Sequence, residues 1–400
     1  MKFSILSLML VMCCVGQGRA DDAESSSITQ AEKKAIAAIR SFRATSELTD
    51  GHVTSVNFKN VKTPDVLLEH LKGLPELQEL DFRDVEVTDE GLKHLQEMKK
   101  LTRVLFRKSK ISDQGMKYFK GLKSLDYLEL TNTTIGNKGV AHLKDLTSLT
   151  HLSLHGTQVT DAGLVHLKKL TNLNTLHLSN TKISDAGLEH IKGLTKMSLL
   201  MLIETQITDA GLVHLKGMPE MRVLGLQFNQ IGDAGLKHIK DLTNIENLYI
   251  RNTQVTDAGL VHLQGMKKIK YLGLISTKIG DAGLVHLKDM KTLTALWIFD
   301  TQISDAGLEN IQGLTNLDQL GLSHNKNISD NGLKYLVRMT KLNHLFIEKT
   351  QITFDGLKEL KPLTNLKYLV ISDFISKDKS VKHSHPALPN CRIFISSPPF

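Results

Sequence analysis

The chain has 400 residues, 41% apolar and 23% charged, the values of a globular protein and not of a disordered one. That length exceeds one ordinary core and implies either two domains or one elongated repeat array. A net charge of +8 would fit nucleic acid inside a cell, but the N-terminus reads as an export signal, which excludes that partner.

Residues 1–20 form the export signal. Lys2 supplies the positive start, and "FSILSLMLVMCCV" is an apolar run of 13 residues, too short to span a bilayer of ~30 Å as a helix. "GQGRA" then places Gly18 and Ala20 at the small positions of a cleavage site, so the mature chain is expected to begin at Asp21. A second reading keeps Cys13 or Cys14 as a lipid anchor, because "LVMCC" resembles a lipobox, although Met12 or Cys13 would stand where a small residue is usual. Cleavage takes away Lys2 and Arg19 and lowers the net charge from +8 to +6. It leaves Cys391 as the only cysteine, so the mature chain forms no internal disulfide and rests on its core alone.

Residues 21–50 are expected to be an N-terminal capping helix and linker. Thr29 followed by Glu32 fits a capping box, and Ala35, Ile36, Ile39 and Phe42 make one apolar face. From residue 51 to 373 the chain repeats. "LTHLSLHGTQVTDAGLVHLKKLTN" from Leu149 is matched by "LNTLHLSNTKISDAGLEHIKGLTK" from Leu173 and "IENLYIRNTQVTDAGLVHLQGMKK" from Ile245. A glycine marks each unit from Gly91 to Gly356, every 24 residues except the step into Gly332, where "HNKN" adds one. Each unit opens with strand alternation, as in Leu173, Leu176 and Leu178, and continues with helical spacing, as in Leu164, Leu167 and Leu170. The aspartate column (Asp161, Asp185, Asp209, Asp233, Asp257) fits helix N-caps. The glycine column fits a backbone too close to the next repeat for a Cβ. Thr157, Thr181, Thr205 and Thr253, replaced by Asn229 and Asn325 elsewhere, are expected to bond neighbouring backbone as the chain leaves each strand.

One strand plus one helix per 24 residues is the leucine-rich-repeat unit, and stacked units predict an α/β solenoid: a curved horseshoe with a parallel sheet inside and helices outside. The "ITDAGLxHLKxLTxL" unit resembles the leucine-rich-repeat proteins of planctomycete-type bacteria, related to the cysteine-containing subclass with threonine in the cysteine position. The resemblance covers roughly residues 51–373, and "ALPNCRI" (387–393) resembles that group's C-terminal ending. It implies a fold and a generic binding scaffold, with little further bearing on function. Residues 374–400 break the period and are expected to cap the array, with Cys391 as a small buried residue.

Signals for chemistry are weak. No G-x-S-x-G, G-x-G-x-x-G, Walker loop or H-E-x-x-H occurs, and neither catalysis nor a cofactor is expected. A histidine column (His70, His94, His142, His166, His190, His214, His238, His262, His286) borders the apolar helix stripe. Neighbouring helices could offer a metal only two ligands, so these are read as seam residues. Lys144, Lys168, Lys192, Lys216, Lys240 and Lys288 form a convex row, read as a solvated face; an anionic polymer or membrane surface is the sharper alternative.

The strand columns are more informative. The residue between the last two core leucines points to the concave face, and this column reads Asn57, Asp81, Leu105, Glu129, Ser153, His177, Met201, Gly225, Tyr249, Gly273, Trp297, Gly321, Phe346, Val370. Its N-terminal third is charged and polar, with Arg83, Arg103, Arg107 and Lys108 nearby. Its C-terminal half alternates glycine with aromatics, and Leu199, Ile203, Phe228, Tyr271, Ile275, Phe299 and Tyr368 flank it. Rings on alternate strands would stand ~9–10 Å apart and frame slots floored by glycine; alternatively each ring lies over its glycine neighbour and covers bare backbone. Eight strands of such a face approach the ~800 Å² per partner of a standard interface. The sequence therefore predicts an exported, non-enzymatic scaffold with a protein or peptide partner. Tyr249, Tyr271, Trp297, Phe299, Phe346 and Tyr368 are the expected anchors, and Arg251, Asp300 and His324 the polar orienters. A glycan or cell-wall polymer stacked on the same rings is the alternative, and a structural array without a ligand the third.

Overall fold

The computed structural model describes residues 28–372 and 385–396. The expected export signal (1–20), and the parts 373–384 and 397–400 of the expected C-terminal cap, lie outside the described residues. Sixteen strands form one open sheet in sequence order. They are β1 (Thr45–Thr49), β2 (His52–Asn57), β3 (Glu79–Arg83), β4 (Arg103–Arg107), β5 (Tyr127–Thr131), β6 (His151–Ser153), β7 (Thr175–His177) and β8 (Leu199–Met201). There follow β9 (Val223–Gly225), β10 (Asn247–Tyr249), β11 (Tyr271–Gly273), β12 (Ala295–Trp297), β13 (Gln319–Gly321), β14 (His344–Phe346), β15 (Tyr368–Ser372) and β16 (Arg392–Ser396). All neighbours pair parallel except β1 and β2, a hairpin turned by Asp50 and Gly51, both at positive φ. Its first strand, β1, falls in the stretch read as linker, and β2 opens the stretch read as the array.

The core is a stack of leucine layers. Leu152, Leu176, Leu200 and Leu224 lie one above another on successive strands and are buried, as are Leu164, Leu167 and Leu170 from the outer side. In the first repeats the second core column is aromatic: Phe58, Phe82 and Phe106 stack at 4.4 and 5.1 Å. The convex elements are shorter than the expected helices. Asp161–Leu164 is one α-turn that passes into a 3₁₀ turn, Val165–Leu167, and the longest such elements have seven residues. A 3₁₀ turn rises ~2.0 Å per residue against ~1.5 Å for an α-helix, so few residues span the height of a short repeat.

The aspartate column acts across repeats. Asp161, Asp185, Asp233 and Asp257 are each the first helical residue of their turn, Asp209 stands two residues before its 3₁₀ turn, and each carboxylate reaches to the next repeat. Asp161 accepts the Ser184 N–H at 2.7 Å and the Ser184 hydroxyl at 2.5 Å. Asp185 does the same to Thr208, Asp233 to Thr256 and Asp281 to Ser304. Where the receiving residue is glycine, as at Gly232 and Gly280, only the N–H bond is made. This clamp also explains the glycine column. A Cβ on Gly187 would lie 2.4 Å from Asp161 Oδ1, and one on Gly211 2.2 Å from Asp185 Oδ1. The threonine column behaves as expected: Thr157 and Thr253 each donate to the carbonyl three residues back at 2.7 Å. Asn229 and Asn325 bond two carbonyls from successive repeats.

At the N-terminal end, helix α1 (Gln30–Ser41) covers the first layer with Ala35 and Ile39 buried. Only half of the capping box forms. Thr29 accepts the Glu32 N–H, while the Glu32 carboxylate is fully buried against His52 Nδ1 at 3.1 Å and the Val53 N–H. At the other end β16 adds to the sheet, and burial pushes the Cys391 thiol up to about 11. Among the described residues no helix is long and apolar enough to cross a membrane, and no group of histidine, cysteine and carboxylate side chains could hold a metal.

Candidate functional site

The register makes the outward column one continuous line, from Asn57 opposite Asp81 through Gly273, Trp297 and Gly321 to Val370 opposite Phe394. In its C-terminal half the aromatics are contiguous. Tyr249 and Tyr271 lie 4.5 Å apart between ring centroids, and Tyr271 and Trp297 6.4 Å. Trp297 meets both Phe299 and Phe346 at 5.1 Å, edge-on to the first and tilted to the second. All five are half-buried. Burial pushes the Tyr249 and Tyr271 hydroxyls up.

Open slots do not form. The flanking columns fill them: a Cβ on Gly321 would sit 2.2 Å from the Phe299 ring, and one on Gly273 3.3 Å from Tyr271. The glycines are thus the places where rings lie down, and the surface is a ridge-and-hollow strip of aromatic edges. The Trp297 Nε1 is enclosed by this packing and finds no acceptor among the described residues.

The remaining expected residues separate from the strip. Tyr368 stacks instead on His344 at 4.6 Å and on Phe394 at 6.1 Å, a second row that runs onto β16. Arg251 is exposed on the rim, its guanidinium 5.3 Å from the Phe228 ring. Asp300 and His324 belong to a rim ladder in which one residue past each strand holds φ between +52° and +67°, from Asp84 through Phe228 to Lys349. Asp300 accepts from the Ser276 hydroxyl at 3.0 Å, and His324 is exposed. Phe228 is the bulky member of that ladder, at φ +60° with 43% of its surface exposed. Left-handed backbone with a large side chain is strained.

The N-terminal half is electrostatically closed. Arg83 pairs with the nearly buried Asp81 at 2.7 Å, Arg103 with Glu79 at 3.0 Å, and Arg107 with Asp84. Arg103 also lies 4.2 Å over the Tyr127 ring. The bond to Asp81 raises Arg83 above its ordinary value, and burial raises the Glu129 carboxyl.

Comparison with known proteins fits this geometry. Models described as leucine-rich repeats match residues 147–190 in two copies, and a single-repeat model matches 219–239 and 313–337. An internalin of Listeria monocytogenes superposes with a TM-score of 0.67 at 23% identity, covering 86% of this chain and 95% of that one. A leucine-rich-repeat protein of Leptospira interrogans gives 0.59 at 22% identity, covering 81% and 80%. The fold is a leucine-rich-repeat solenoid. At these identities the likeness speaks for the fold alone, and no curated protein matches the sequence. Leucine-rich-repeat solenoids commonly serve as protein-interaction scaffolds built around an extended concave surface. Sequence columns had pointed to the aromatic line of this solenoid. They do not single out Phe394, because β16 lies outside the repeat, nor His344 and the histidines of β6 and β7, which share no motif.

Proposed function

We propose that the protein is an exported, non-enzymatic scaffold that binds a protein or peptide partner through the C-terminal half of its concave face. The observation that carries this reading is the contiguous strip Tyr249, Tyr271, Trp297, Phe299 and Phe346, half-exposed over five strands. Solenoid stability does not require large rings on that face, and exposed apolar strips mark interaction surfaces. The rings lie tilted or edge-on against one another, so few ring faces stand open for sugars, and this favours apolar side chains of a protein over a glycan. Arg251, Asp300 and His324 are rim contacts in this reading. In this reading the partner belongs to the periplasm, the cell envelope or the space outside the cell, where the expected export signal would deliver the chain.

The test is a pull-down from the native envelope fraction with wild type and Trp297→Ala. Loss of a hot-spot tryptophan should weaken capture by ~2 kcal/mol, roughly 30-fold. A folded Trp297→Ala protein that retains its partner fully would move the interface elsewhere. Intact mass of the exported protein should start at Asp21, and a diacylglycerol adduct on Cys13 or Cys14 would replace cleavage at Ala20 with a lipid anchor.

A further inference from the structure

A different set of side chains occupies the middle of the concave face. His151 and His155 stand on the two outward positions either side of Ser153, and the register sets His177 of β7 against Ser153. Three half-buried imidazoles therefore surround one point of the sheet. His151 Nδ1 is 2.8 Å from the Thr150 hydroxyl, and His155 bonds the Ser179 backbone, which leaves one ring nitrogen free on each. Among the described residues the His177 side chain makes no hydrogen bond. Burial first, then His155 and His151, depress His177 to about 4, and burial also lowers the other two.

The surrounding charges leave this point without a partner. Asp126 and Arg103 face His151, Glu204 faces His155, and Tyr127 stacks on His151 at 5.3 Å. His177 meets only the two imidazoles among titratable groups. Arg83, Arg103 and Arg107 are already engaged by Asp81, Glu79 and Asp84.

We propose that His151, His155 and His177 receive a carboxylate of the protein partner that docks on the aromatic strip, and that a proton is taken up there on binding. The proposal rests on the reading of the concave face as the docking surface. A carboxylate carries one charge, which protonated His177 neutralises while His151, its Nδ1 accepting from the Thr150 hydroxyl, donates from Nε2; His155, whose N–H is given to the Ser179 backbone, flanks the site. A phosphate brings nearly two charges and is matched by arginine or lysine, which here are spent on other pairs. Strand spacing of ~4.8 Å puts His177 ~14 Å from Tyr249 and ~24 Å from Trp297. At ~3.3 Å per residue, an extended partner segment would carry its acidic residue about four to seven positions from its apolar anchors.

The experiment selects a phage-displayed library of random 12-residue peptides on the full chain at pH 5.0 and pH 7.5. The pH 5.0 pool should be enriched in Asp or Glu four to seven positions from an aromatic or aliphatic residue. A peptide made from that pool should bind about tenfold more tightly at pH 5.0 than at pH 7.5, the ratio expected if occupancy raises His177 from about 4 to ~6. His177→Gln should abolish the acidic preference and the pH dependence while apolar enrichment persists, and Trp297→Ala should do the reverse. A pool with apolar but no acidic enrichment, or pH dependence that survives in His177→Gln, overturns this proposal and leaves the docking surface standing. A pool with neither overturns both. Competition by inorganic phosphate but not by acetate overturns the carboxylate assignment. Should His177→Gln fail to fold, NMR titration of wild type decides: a His177 pKa that does not rise by at least one unit with the peptide bound refutes it.

Discussion

Replacing Asp185 by alanine removes a carboxylate that ties one repeat to the next. Its Oδ1 accepts the Thr208 N–H at 2.8 Å and its Oδ2 the Thr208 hydroxyl at 2.6 Å. Hydrogen bonds to a charged group contribute ~1.5–3 kcal/mol each, and water recovers part of that at half-buried sites, so the expected loss is about 2–4 kcal/mol. Asp209 supplies the internal comparison. Its receiving residue is Gly232, which offers the N–H alone at 2.7 Å, and Asp209→Ala should cost about half as much. Gly211→Ala attacks the same clamp from the other side, because all three nearest atoms to its new Cβ belong to Asp185. The double variant should therefore cost at least ~1 kcal/mol less than the sum of the singles. Guanidinium melts with unchanged slope would measure the costs, and deuterium exchange at the Thr208 amide would localise them. A loss under ~0.5 kcal/mol for Asp185→Ala, or strict additivity with Gly211→Ala, would refute the clamp.

Leu176→Ala, in a fully buried layer, should cost ~2–5 kcal/mol, whereas Glu246→Ala should cost no more than ~1 kcal/mol although Glu246 pairs with Arg222 and Lys270 at the surface; denaturant melts compare them. His177 has a folded pKa below its unfolded value, so the unfolded chain binds more protons and stability should fall as pH drops from ~6.5 towards about 4; His177→Gln should flatten that part of the pH–stability curve. Phe228→Asn, at φ +60°, should stabilise the fold by ~0.5–1 kcal/mol, strain relief outweighing the lost contact with Arg251, and thermal melts should show a higher midpoint. A clear drop would show that the Phe228 ring is anchored more firmly than its exposure indicates.

By itself the sequence determined the repeat, the strand register and the face on which each residue falls. These follow from periods of 24, 2 and about 3.6 residues, which are local and recur too often to be mistaken. The outward position of Trp297 and the buried one of Leu296 needed nothing more. Tertiary structure decided what side chains do once neighbouring repeats are in place. Asp161 looks like a cap for its own helix because capping is the local use of an aspartate before a helical turn. Only the stack reveals that Ser184 of the next repeat is within reach and takes the carboxylate. In the same way, Tyr271 and Phe299 lie over Gly273 and Gly321 because a glycine beside a large ring offers apolar backbone to cover, which closes slots that the column alone would leave open. Glu32 fits a capping box by spacing, yet its carboxylate is drawn into the interior by His52 and the Val53 N–H, some twenty residues away in sequence. The histidines of β6 and β7 belong to different columns and repeats and carry no shared motif, so their convergence on one point of the sheet arises only when parallel strands are laid side by side.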